Sequence, residues 1–330
     1  ARGIIFMAEG NTLFETLMLN LLEYPAQRPI PTSKNDCPAW EMDDPYGDER
    51  EIPHGYLDYL TWQNRKILLT PAQTTGGTAV REMALTPGLK LDPSVLDQDP
   101  MKHYRINDKS GHVSLRFQEH RALWRDSAAL LRLSAEEQQV PAIFAWLGRL
   151  AGGVRPVLDE GLSVRYMALG MASDQAKIEF FRHEHLPLPV AYLDNPQLVD
   201  LLGHALSAAE AVASELWKAG TTMANVLLEP EESSERRANP DDVRDLRDTM
   251  ALERRYWAQL EPLFRQTMQA LPTTDTAAVV DWFAWLRRSA WDVFEEVSIG
   301  LGDQPRALKA AVRGREQLAR GLGKVLNVEE

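Results

Sequence analysis

The sequence predicts an α+β protein: a mixed α/β globular region over residues 1–194, followed by an antiparallel four-helix bundle over residues 195–330. Three observations predict it. Leu162, Val164, Tyr166 and Ala168 alternate with other residues, and Ile178 and Phe180 resume the alternation, as paired strands require. From Leu198 to Val325 apolar residues step by three and four, the period of a helix face. Asn195-Pro196 and Asn239-Pro240 each put a capping side chain before a proline suited to the first helical turn.

Taken in order, Asn11 can cap a helix over Thr12–Glu23 with Leu13, Leu17 and Leu21 on its apolar face, ended by Pro25. Residues Pro25–Pro53 carry many prolines and the acids Asp43, Asp44, Asp48, Glu49 and Glu51, the composition of a long solvated surface loop without calcium-loop spacing. Tyr59–Thr70 reads as a strand, and Thr74–Pro100 is rich in turn formers. Thr75-Gly76-Gly77-Thr78 lacks the lysine and following hydroxyl of a phosphate loop and reads as a turn. Helical spacing predicts short helices within Phe117–Leu133 and Val140–Leu150. A hairpin follows, with a polar link over Gly170–Ala176 and its tip near Ser173–Gln175.

In the bundle, Leu198 to Leu227 form the first apolar stripe, Val243 to Leu271 the second and Val279 to Val297 the third. Leu308, Ala311, Leu318, Leu322 and Val325 form the fourth. Glu229–Asn239 is a polar, acidic link, and Gly300–Pro305 a stop and restart.

Composition narrows the function classes. With 330 residues, 44% hydrophobic and 25% charged, the chain can bury sizeable cores. Cys37 is the sole cysteine, which excludes a disulfide framework and a cysteine zinc ribbon and points to the cytoplasm. No apolar run approaches the ~20 residues of a membrane span. Ala1 runs straight into the apolar Ile4–Met7, so the chain reads as a fragment or trimmed product. A net charge of −12 argues against a free-standing nucleic-acid binder, so any DNA contact is local.

Catalytic motifs are missing from the sequence: there is no nucleophile elbow, phosphate loop or zinc-protease helix, so it reads as a non-enzyme needing no cofactor. His183-Glu184-His185 is the one dense set of possible metal ligands, and on a strand the two histidines share a face. Without a third ligand they read as surface or hydrogen-bonded residues, and no metal is assigned. Trp282, Trp285 and Trp291 could stack bases, but at helical spacing they read as bundle core. On the last helix Arg306, Lys309, Arg313, Arg320 and Lys324 fall in one stripe. That stripe is either a solvated face, a groove tracking a nucleic-acid backbone, or a contact for an acidic partner.

Three stretches carry a resemblance. They are ARGIIFMAEGNTLFETLMLNLL at Ala1–Leu22, YLTWQNRKILLTP at Tyr59–Pro71, and RYMALGMASDQAKIEFFRHEHLPLPVAYL at Arg165–Leu193. Together with the four-helix end they resemble the CasA family, the large subunit of type I-E CRISPR Cascade, over essentially the whole chain. The resemblance implies a non-catalytic subunit that works with the other Cascade subunits and their guide RNA. It implies that the protein reads the protospacer-adjacent motif of double-stranded DNA, helps open the duplex, and recruits a separate helicase-nuclease. By similarity Gln175 is a wedge at a hairpin tip, with Ser173 and Asp174 beside it, and Lys90 is the nearest candidate for a motif-contacting lysine. Arg306, Lys309 and Arg313 would then meet the displaced strand or a partner. Family elements that contact the motif and anchor the subunit lie upstream of the residue matching Ala1. A helical scaffold without DNA contact, and a metal enzyme using His183 and His185, are the competing classes.

Overall fold

The structure, a computed structural model, describes residues 3–22, 30, 33–46, 50–95, 99–107, 111–133, 138–152, 158, 163–174, 177–229 and 238–326, with backbone alone at 94, 163, 173, 174, 177 and 274–276. The elements before the bundle are β1 (Ile5–Glu9), α1 (Leu13–Leu19), α2 (Tyr56–Leu60), β2 (Arg65–Thr74), β3 (Gly77–Pro87), β4 (Tyr104–Asn107), β5 (Gly111–Ser114), α3 (Ser127–Leu131), β6 (Gln138–Gln139), α4 (Ala142–Gly152), β7 (Ser163–Asp174) and β8 (Lys177–Pro189). They form three antiparallel sheets, ordered β1-β7-β8, β2-β3 and β5-β4-β6. Helices α5 (Pro196–Leu228), α6 (Pro240–Met250), α7 (Leu252–Gly300) and α8 (Pro305–Leu326) follow, giving the expected α+β class.

The β1-β7-β8 sheet obeys the period of two. Phe6 and Ala8, Val164, Tyr166 and Ala168, and Leu186 and Leu188 are all buried on one face. Phe144 of α4 packs onto that face, its ring 5.9 Å from Phe6 and 5.3 Å from Tyr166.

Several sequence expectations before residue 195 need correction, two of them because a side chain distant in sequence intervenes. Helix α1 is capped by Thr12 rather than Asn11: Thr12 Oγ1 accepts from Glu15 N at 3.1 Å while the Glu15 carboxylate accepts from Thr12 N at 3.2 Å. It ends early at Asn20, whose side chain accepts from Ala8 N and donates to Ala8 O, and Leu13, Leu17 and Leu21 of the expected apolar face are exposed, while Leu19 packs against the core. The strand expected over Tyr59–Thr70 begins only at Arg65. Asp36 accepts from Leu57 N and Asp58 N and so starts α2 from 21 and 22 residues away. Within the turn-rich stretch, Thr75-Gly76 does turn the chain, but Gly77–Pro87 is strand. Part of the expected surface loop is built inward: Asp58, 1% exposed, binds Arg50, whose guanidinium lies 4.7 Å from the Trp62 ring centroid. Only Ser127–Leu131 and a preceding turn are helical within Phe117–Leu133.

In the bundle the caps form as read. Asn195 accepts from Gln197 N and Leu198 N, and Asn239 accepts from Asp241 N. The second expected helix is broken at Ala251, a left-handed residue at φ 54°, ψ 32°. Helix α7 then runs helically from Leu252 to Gly300 yet cannot be straight. Arg255 pairs with Glu296, and the rings of Phe264 and Trp282 are 6.3 Å apart. A straight helix would hold residues 255 and 296 about 60 Å apart. The chain therefore reverses between Phe264 and Trp282, an interval that contains Pro272, which has no N–H to give the helix. The two arms of α7 supply the second and third members of the bundle.

Their directions follow from contacts. Tyr256 OH donates to Ala209 O while Leu252 lies beside Gly220, so the first arm runs against α5. Trp282 Nε1 donates to Ala205 O, and Met223 and Phe294 meet beside Gly314, so the second arm runs with α5. Lys309 reaches Glu229 at 3.0 Å and Gln317 reaches Glu215 at 3.5 Å, so α8 runs against α5. This is the antiparallel arrangement expected.

The buried stripe of α8 differs from the expected one. It consists of Ala307, Ala310, Gly314, Leu318, Gly321 and Leu322, while Leu308 is 54% exposed. Small residues won the interface because α5 lies too close for larger ones. A Cβ on Gly314 would sit 2.5 Å from Met223 Cγ and 3.0 Å from a Phe294 ring carbon. Replacing Gly314→Val should therefore lower the unfolding free energy by about 1–3 kcal/mol. Chemical denaturation monitored by circular dichroism reads this, and an unchanged midpoint would show that the α5–α8 contact is loose.

Candidate nucleic-acid interface

Strands β7 and β8 pair from Ser163↔Pro189 to Asp174↔Lys177. The polar link expected over Gly170–Ala176 is therefore mostly strand, because cross-strand pairing overrides the weak turn signals of Gly170 and Ser173. Only positions 175 and 176 separate the two strands. Gln175 lies outside the described residues, and Ser173 and Asp174 are described by their backbone alone.

The middle of β8 is clamped to the body of the protein. The Glu184 carboxylate accepts from Leu123 N at 3.0 Å and from Arg182 at 2.8 Å. Arg182 also donates to Gln118 O at 3.0 Å and lies 5.4 Å from the Phe117 ring centroid. Burial raises the Glu184 pKa above the usual carboxylate range, outweighing Arg182 and the Leu123 amide, which favour the charged form. Arg265 of α7 donates to His185 O at 2.7 Å, tying the strand to the bundle.

His183 and His185 do share a face, their rings 5.6 Å apart. His185 Nδ1 is 2.8 Å from a Glu9 oxygen, and Arg165 is 3.7 Å from the other. Among the described residues no group of three or more histidine, cysteine or acidic side chains could hold a metal ion.

Lys90 is exposed in the segment after β3, 3.4 Å from Glu51, and its neighbour Leu89 accepts from Trp62 Nε1. Arg306, Lys309 and Arg313 are all exposed on α8. Lys309 pairs with Glu229 and Arg313 with Glu316 at 3.2 Å, and Lys309 holds the Glu229 pKa below its usual value, with Arg306 adding to the effect. Trp282 is fully buried, and Trp285 and Trp291 pack partly buried against the core. Among the described residues no helix is long and apolar enough to cross a membrane.

The sequence offers Glu184 only as a possible metal ligand and Ile178 only as a strand residue, and gives no role to Arg182, which with Glu184 positions the hairpin, or to Phe181; Ile178 and Phe181 are 48% and 74% exposed near its tip. Two adjacent phenylalanines in a strand were the available signal, since one of them must face outward.

Residues 1–293 match the family described as CRISPR-associated protein Cse1. A curated relative, the CRISPR-associated protein CasA/Cse1 of Thermus thermophilus, is 30% identical over 335 residues, covering 98% of this chain and 62% of the relative. The crystal structure of CasA from Thermus thermophilus matches with a TM-score of 0.77 at 29% identity, over 98% of this chain and 65% of that one. A chain from a structure described as a CRISPR RNA-guided surveillance complex shares the fold, with a TM-score of 0.63 at 21% identity over 96% of this chain and 60% of that one. The chain thus spans less than two thirds of the length of these relatives.

The clamp makes a measurable demand. Glu184→Ala should leave the buried Leu123 N–H without its acceptor and raise hydrogen exchange at that amide by about tenfold, at a cost of about 1–3 kcal/mol. Exchange at the wild-type rate would mean that the carboxylate does not hold the strand.

Proposed function

The chain belongs to the CRISPR-associated Cse1 family, and from that premise we propose that it is a non-catalytic subunit of a type I-E RNA-guided surveillance complex that reads the protospacer-adjacent motif, opens target DNA and recruits a helicase-nuclease. The globular part, residues 1–194, carries the DNA-facing hairpin in this reading, and residues 195–330 brace it. The observation that carries the proposal is the β7–β8 pairing, which reaches Asp174↔Lys177 through a single register shift after Ala172, on a strand clamped by Glu184, Arg182 and Arg265. Position 175 directly follows that supported ribbon in the sequence.

The energetics are coherent. Wedging a side chain at a base step costs a few kcal/mol of unstacking. Guide pairing follows as a nearly balanced exchange of one duplex for another, so a small bias at the first step decides whether opening starts. Glutamine suits that task because it is uncharged and can both donate and accept hydrogen bonds. Ser173, Asp174 and Lys90 are the accompanying candidate contacts. The displaced strand has a separate candidate in Arg306, Lys309 and Arg313.

A scaffold role without DNA contact has one observation in its favour: Lys309 and Arg313 already have acidic partners within the chain. Two experiments on the full-length protein in its assembled complex decide between the readings. Gln175→Ala should leave folding intact and slow opening of an intact target duplex, and a bubble already open beside the motif should restore the rate. Normal opening of intact duplex by the variant would remove the wedge. Reversing Arg306, Lys309 and Arg313 to glutamate should weaken strand opening or assembly and flatten its dependence on salt. An unaltered salt slope with full function would make the stripe a solvated face.

A further inference from the structure

The β7–β8 pairing contains one irregularity close to the tip. Ala172 pairs with Phe180 and Ser173 with Ile178, so Glu179 is an extra residue on β8 without a partner. Such a bulge changes which way the following side chains point. In a regular strand Ile178 would share a face with Phe180, two residues away. Phe180 stands opposite Ala172, on the same side as the buried Ala168 and Tyr166, and packs against the core. Ile178 instead stands opposite Ser173, and therefore on the same side as Met171 and its partner Phe181.

The bulge thus gathers Ile178 and Phe181 on the outer face of the hairpin, with half-buried Met171 opposite Phe181 on β7. Phe181 is 74% exposed and Ile178 48%. At about 3.3 Å per residue, the strip from Ile178 to Phe181 lies within roughly 10 Å of the last strand pair.

We infer that Ile178 and Phe181 form a second DNA contact on the hairpin, an apolar strip that packs against the base step opened beside the motif. The inference rests on the proposed DNA-opening role and adds residues to it. Two side chains fall far short of the ~800 Å² per partner of a stable protein interface. They suffice for a wedge, since minor-groove proteins kink and unstack DNA with one or two apolar side chains. The division of labour is chemical: a polar tip to replace hydrogen bonds, and an apolar flank to replace stacking. The bulge at Glu179 is the device that turns both apolar residues to the same side.

The test uses the full-length protein in its assembled complex and a target duplex carrying 2-aminopurine beside the motif. Phe181→Ala and Ile178→Ala should each slow the fluorescence rise on intact duplex, Phe181→Ala by about tenfold, as expected for loss of one base–aromatic contact. Both should act at the normal rate on a duplex with a bubble at that step, and Phe181→Trp should restore opening of intact duplex. Assembly of the variant complexes without DNA, measured by size-exclusion chromatography, should match wild type. Normal opening by both variants while Gln175→Ala is slow would overturn the strip and leave the hairpin reading standing. Normal opening by all three would overturn the hairpin reading as well. Loss of assembly without DNA would show that the strip meets a protein subunit, which also overturns the inference.

Discussion

The fold depends on one aromatic junction. Trp124, 1% exposed, stacks on Phe264 with ring centroids 4.6 Å apart and meets Trp257 edge-on at 5.6 Å. It comes from the segment that follows Phe117, whereas both partners lie on the first arm of α7. Burying a tryptophan removes 150–250 Å² from water, worth about 4–6 kcal/mol at roughly 25 cal/mol per Å² before the entropy of ordering it. Arg125 continues the junction, lying 3.8 Å from the Trp257 ring centroid and pairing with Glu210 of α5 at 2.6 Å. The sheet and the bundle consequently share one continuous set of buried residues.

That junction sets where the hairpin can stand. Leu123, next to Trp124, donates its N–H to Glu184 on β8, and Arg265, next to Phe264, donates to His185 O on the same strand. The strand is thus held from two neighbours of the same aromatic contact, one on each side. Mechanical support for the hairpin therefore comes from the bundle as much as from the sheet. Such coupling gives the bundle a role in the proposed DNA opening that requires no DNA contact of its own.

Legibility in the sequence followed the range of the interactions. The bundle was readable because Asn195-Pro196, Asn239-Pro240 and the three-and-four spacing act within a few residues. The hairpin was readable from its alternation, but its bulge was not, since an extra residue at Glu179 is defined only by the partner strand. Asp36 starting α2 and Asn20 stopping α1 are contacts across 21 and 12 residues and leave no local pattern. The rotated face of α8 has the same origin: leucines advertise a core face, yet Gly314 and Gly321 face α5 because the backbones approach closely there. For the candidate site, the sequence located the hairpin and the basic stripe, and missed the clamp of Arg182 and Glu184 because its acceptors and donors are backbone groups near Leu123.

Two hairpins in this chain show why support decides what a ribbon can do. Strands β2 and β3 pair over ten positions, yet Ile67, Leu69, Met83 and Leu85 on one face are each more than half exposed, and no third strand joins them among the described residues. A two-stranded ribbon without a packed face is marginal in water. The β7–β8 ribbon has the same number of strands at its outer end, but its inner half is flanked by β1 and buried on α4. Its outer half inherits that rigidity through pairing that resumes past the bulge to Asp174↔Lys177 and through the clamp at Glu184. Unstacking a base step resists with a few kcal/mol, and a marginal ribbon would deform before the duplex did. Of the two hairpins, β7–β8 is the one whose anchorage can transmit such a load.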